Sequence, residues 1–81
     1  MTKPISIQAR KLGRERALGI AWHDGQIIEI DDRQHQKERI DTIIHEALHL
    51  ICPDWTERKV ASAAKKVTVL LWRDGFRRLA K

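Results

Sequence analysis

Eighty-one residues suffice for one domain with a small core, and the single cysteine, Cys52, excludes an internal disulfide. No apolar run approaches the roughly 20 residues that span a bilayer, and no charged-then-apolar leader opens the chain, so a cytoplasmic protein without a membrane span is expected. Sixteen Lys and Arg against eleven Asp and Glu give a net charge of +5. That excess attracts nucleic acid or acidic protein, yet no nucleic-acid-binding motif accompanies it, and three Trp, one Phe and no Tyr offer little for base stacking.

Ile5, Ile7 and Ala9 alternate with Ser6, Gln8 and Arg10, the pattern of a half-buried first strand. A turn is expected from Lys11 to Glu15 around Gly13. Residues 18–22 and 27–30 read as a second and a third strand, so residues 5–31 form the sheet. The loop between the last two can be set by register. A two-residue Asp24-Gly25 loop pairs Ile20 with Glu29 and Leu18 with Asp31, mixing faces, whereas a three-residue loop pairs Ile20 with Ile28 and Leu18 with Ile30. The second is the expectation, with Gly25 in the left-handed region.

A polar turn at 31–36 leads into a helix expected at 37–51, with Ile40, Ile43, Ile44, Ala47, Leu48 and Ile51 as one apolar stripe. His45-Glu46-Ala47-Leu48-His49 lies within it. Residues four apart on a helix share a face about 5.4 Å apart, so His45 and His49 can reach one metal ion. Glu46 emerges at the edge of that face, placed to take a proton from a metal-bound water without being a ligand. Two solvated imidazoles on a polar face are the plain alternative.

Pro53 stops the helix, 52–55 reverses the chain, and Thr56 stands where an N-cap belongs ahead of a second helix at 57–73. Its expected apolar stripe is Val60, Ala63, Ala64, Val67, Leu70 and Leu71, its stop is Asp74-Gly75, and 76–81 is a basic tail. Glu57 opens this helix on the extension of the stripe and points back toward the first helix. It can complete a His-His-Glu site with a position left for water, although an acidic residue also suits a helix first turn by itself. Cys52 and Asp54 are the rival third ligands, and Cys52 also suits packing as a small hydrophobe.

Over residues 18–72, three stretches resemble the gluzincin metallopeptidases, most closely the minimal SprT-like or minigluzincin-like kind found in phages and prophages. They are Ile-Ala-Trp-His-Asp-Gly-Gln-Ile-Ile-Glu-Ile-Asp, His-Glu-Ala-Leu-His and Trp-Thr-Glu-Arg-Lys-Val. The resemblance implies that His45, His49 and Glu57 bind one Zn2+ per chain and that Glu46 is the general base. It also implies that residues 18–22 form a sheet edge beside the cleft, where a peptide or protein substrate adds as an antiparallel strand along Gly19 and Ala21. Two positions depart from the family. Ala61 stands where larger members carry an acidic residue that orients the first His, and no Tyr is present to stabilise an oxyanion. His23, at the hairpin, is the remaining candidate for that role, or else an exposed loop residue.

The expectation is therefore a single α+β zincin-like domain, with a three-stranded antiparallel or mixed sheet on a metal-bearing helix and a ligand-bearing helix after it. Zinc-dependent peptide hydrolysis is the expected activity. The alternative is a zinc-stabilised nucleic-acid- or protein-binding module without efficient turnover, supported by the +5 charge and by little chain beyond the second helix to build a specificity pocket. Substrate, cleavage specificity and oligomeric state are not legible.

Overall fold

The computed structural model describes residues 3–13 and 17–77. Three strands, β1 (Ser6–Arg10), β2 (Gly19–Trp22) and β3 (Ile27–Asp31), are followed by two helices, α1 (Gln36–Ile51) and α2 (Glu57–Arg73). The fold is α+β. The sheet order is β1-β3-β2, with β1 parallel and β2 antiparallel to the central β3, so the sheet is mixed. The expected turn after Lys11 and the basic tail lie partly outside the described residues. Among the described residues no helix is long and apolar enough to cross a membrane.

One side of the sheet carries Ile28 and Ile30, both essentially sealed from solvent, which join Leu50 of α1 in the core. Ile5, Ala21, Ile43 and Ala47 pack around them. α1 lies across β2 and β3 and α2 packs on α1, which leaves the far strand uncovered. That is why β1 is exposed along its whole length, with Ile7 46% accessible, instead of half-buried. Ile5, just ahead of the strand, packs against the core, and Leu12, just after it, is fully buried.

The hairpin takes the register that side-chain matching disfavours. Ile20 pairs with Glu29 and Ala21 with Ile28, and the Asp31 N–H donates to the Leu18 carbonyl at 2.8 Å. Asp24 and Gly25 form the turn between His23 and Gln26, whose N–H donates to the His23 carbonyl. Gly25 is left-handed as expected (φ 78°), and Gln26 follows it there (φ 52°). The reason for the register lies beneath the strand. A Cβ on Gly19 would stand 2.5 Å from Cγ2 of Thr42 and 3.0 Å from Cγ of Glu46, so the side of β2 facing α1 has room only for the smallest residues. Gly19 and Ala21 take that side, and Ile20 and Trp22 turn outward. There the Trp22 indole N–H and the Arg10 guanidinium both donate to Glu29, at 2.8 and 2.7 Å. These two donors hold the Glu29 carboxyl below its ordinary pKa, Arg10 contributing most.

α1 begins one residue earlier than expected, at Gln36. Its inward residues include Thr42 and Leu50, which the apolar stripe omits, while Ile51 is 63% exposed. In α2 the buried row is Val60, Ala64 and Thr68, and Val67 and Leu70 fall outside it. Both buried threonines set their hydroxyls against the carbonyl one turn back, Thr68 on Ala64 and Thr42 on Glu38, the single Thr42 proton being shared with the Gln34 side chain. That local bond is what admits a polar residue to each row. The limits of α2 are those expected: the Thr56 hydroxyl accepts from the Lys59 N–H, and at the other end Gly75 (φ 89°) and Phe76 donate back to Trp72 and Leu71, closing a Schellman motif.

Candidate metal centre

His45 and His49 project from consecutive turns of α1, with ring centroids 4.9 Å apart and planes inclined at 63°. The reversal at 52–55, closed by the Trp55 N–H on the Cys52 carbonyl, returns the chain so that the first residue of α2 faces these rings. One Glu57 oxygen lies 2.8 Å from Nε2 of His45 and the other 3.0 Å from Nε2 of His49. The three residues can hold a metal ion, since one donor atom from each lies within 4.8 Å of the other two. In a tetrahedral zinc site with bonds near 2.0–2.1 Å, neighbouring ligand atoms stand about 3.3 Å apart. The two imidazole–carboxylate separations, each to a different Glu57 oxygen, are a few tenths of an ångström shorter than that spacing, and two imidazoles with one carboxylate are a zinc donor set. Among the described residues, Cys52 and Asp54 are not in the group.

Glu46 is next to His45 in sequence but turned about 100° around the helix, toward β2 and Gly19. It lies outside the ligand set and lines a cleft of about 250 Å³ with Leu18, Asp41, Thr42 and His45. Removal from water raises the Glu46 pKa, an effect opposed by His45 and His49 and reinforced by Glu57. A carboxylate with a raised pKa is a stronger base than its solvated counterpart, and its protonated form persists better near neutral pH until the proton is passed on, as a shuttle requires.

The cleft runs between α1 and the start of β2, and its wall is tied together by Gln34. That side-chain amide donates to the carbonyls of Leu18 and Asp31 at 3.1 and 3.0 Å and accepts from the Thr42 hydroxyl at 2.6 Å. β2 is an outer strand, with one edge unpaired in the sheet. Gly19 sits against Glu46, whereas Ala21 packs into the core on the covered side. His23 is exposed in the hairpin turn, four residues beyond Gly19, or about 13 Å along an extended chain. It is not in the converging group. Ala61, one turn after Glu57, presents only a methyl group, so that turn offers no carboxylate to an imidazole.

Leu18, Asp41 and Thr42 are cleft residues that motif reading missed. The signal available for the latter two was helical spacing, since they precede His45 and Glu46 by one turn. Nothing local marks Leu18. No protein-family model matches the chain, and the curated proteins and solved structures likewise yield no match.

Proposed function

We propose that the protein is a zinc-dependent peptidase of gluzincin type, with His45, His49 and Glu57 as ligands and Glu46 as general base. The observation that carries this reading is a division of labour. Three donors converge, while a fourth group, the carboxyl of Glu46, partly withdrawn from water, lies beside them in the cleft and outside the ligand set.

Bound zinc supplies a Lewis acid for a carbonyl oxygen and lowers the pKa of water. The chain's own residues do the rest. Glu57 sets the span between the two imidazoles, and the Glu46 carboxylate removes a proton from the attacking water and delivers it to the leaving amine. The unpaired edge of β2 offers main-chain groups to an extended peptide, which would lie antiparallel past Gly19 and across the cleft mouth. His23 enters no step of this scheme. A lone, half-buried Cys52 suits the reducing cytoplasm.

Glu46→Gln tests the assignment because it keeps size and hydrogen bonding but removes the base. With zinc content matched, cleavage of a peptide library should fall by about a hundredfold or more, with fold retained. Cleavage equal to wild type would remove Glu46 from the reaction, and its absence in both proteins would favour the binding module.

A further inference from the structure

α2 carries Arg58, Lys59, Lys65, Lys66 and Arg73 and a single acid, Glu57. Seventeen residues thus supply four of the five net charges of the whole chain. A solvent-facing helix surface ordinarily mixes both signs. At 100° per residue the five cations fall within an arc of roughly 120°, centred opposite the buried row of Val60, Ala64 and Thr68. All five are exposed.

Their positions are ordered along the axis as well. Lys59, Lys66 and Arg73 stand seven residues apart, two turns or about 10.5 Å each, so the row runs about 21 Å, with Arg58 and Lys65 as a second row beside it. Two shallow depressions follow the same face, of about 380 and 500 Å³, the first reaching Trp55 and Arg58 and the second Val69 and Arg73. Ser62 and Lys66 line both, which makes them one continuous furrow. Nζ of Lys59 sits 4.5 Å over the Trp55 ring at its entrance.

We propose that this outer face of α2 binds the sugar–phosphate backbone of a nucleic acid, without base readout. The occupant follows from the charge pattern, because a linear array of cations along a furrow complements a linear polyanion. A membrane surface fits less well. An interfacial helix sinks a broad apolar side into lipid, whereas α2 turns Val60, Ala64 and Thr68 inward and leaves Val67 and Leu70 as its exposed large hydrophobics beside five cations. Glu57 lies on the other side of α2 from the furrow, so a bound strand leaves the metal centre and cleft open. The proposal does not depend on hydrolysis, and its test requires none.

The full chain is titrated against a labelled single strand and a duplex of about 20 nucleotides, with anisotropy as the readout. Three to five phosphate contacts predict a loss of roughly 40- to 500-fold in duplex affinity between about 50 and about 200 mM salt. Lys59→Glu with Lys66→Glu should weaken binding at least about tenfold. Lys3→Glu with Lys11→Glu, an equal change of net charge on exposed residues elsewhere, should weaken it far less. Lys59→Gln with Lys66→Gln repeats the test, should reversal disturb the helix seen by circular dichroism. Equal losses in both pairs would reduce the effect to net charge and overturn the assignment. So would undetectable binding at low salt, equally tight binding of polyglutamate, or binding to phosphatidylserine vesicles in place of nucleic acid.

Discussion

The two flanks of α1, toward β2 and toward α2, are built on opposite principles. Toward β2 the contact is steric: Gly19 lies so close to Thr42 and Glu46 that no Cβ fits between them. Toward α2, beside the buried Val60 and Ala64, it is polar, with Glu57 spanning His45 and His49 although its side chain is 68% exposed. A flank held by shape positions the proposed base, and a flank bridged by a carboxylate gathers the candidate metal donors. Substitution on the two sides should therefore damage different properties.

The largest effect is expected on the charged side. His49→Ala removes one of three donors, so zinc content after dialysis should fall to near zero and hydrolysis with it. Glu57→Ala should also weaken zinc binding severely. Its metal-free stability, however, should change by less than about 1 kcal/mol, since exposed ion pairs contribute little. Full zinc occupancy in Glu57→Ala would remove it from the ligand set. Next comes the metal itself. A ligand at a hundred times its Kd that binds only the folded state adds about 2.7 kcal/mol, and for a domain of this size zinc should raise Tm by roughly 10–20 °C. An unchanged Tm on chelation would mean that no metal is bound there.

Gly19→Ala probes the other flank. Thr42 or the strand must shift to admit the methyl group, and overpacking of this kind costs about 1–3 kcal/mol. Zinc affinity should stay within a few-fold, because none of the three donors touches Gly19, whereas turnover should drop as Glu46 is displaced. Loss of zinc affinity equal to the loss of turnover would show that the two flanks are not separable.

The same contrast explains what could be read from the sequence. The charged flank is local: His45 and His49 are one helical turn apart, Glu57 follows a four-residue reversal after Cys52 begins it, and the cap at Thr56 and the stop at Gly75 carry their own chemistry. The steric flank is not. Pairing Ile20 with Ile28 looks favourable until α1 is laid over the strand, and the demand for a small residue at Gly19 comes from Thr42, distant in sequence. The misassigned helix positions have the same origin. Leu50 and Thr68 are buried, and Ile51 and Leu70 exposed, because neighbouring elements choose which face of an amphipathic helix is covered.

The smallest expected effect concerns the loop that delivers α1 to the steric flank. Asp31 ends β3, is 6% accessible, and accepts from the Leu12 and Arg33 N–H groups and from the Arg33 guanidinium at 3.0 and 2.8 Å. The Arg33 guanidinium first, and the backbone donors after it, hold the Asp31 carboxyl well below the usual carboxylate range. A pKa lowered by folding gives stability that is complete above the unfolded value of about 4 and lost as pH falls through and below it. Wild-type Tm should therefore decline from about pH 4 downward. Asp31→Asn keeps one acceptor oxygen but loses the charge and presents an amide N–H to existing donors. It should be less stable than wild type at pH 7, and the gap should narrow progressively as the pH falls below about 4. The gap should be modest, since the Arg33 side chain is 59% exposed and water screens the pair. Parallel Tm curves for the two proteins across that range would show that the carboxylate charge is not what secures the loop. Gln34, bridging Leu18 to Thr42, would then be the residue holding β2 against the helix.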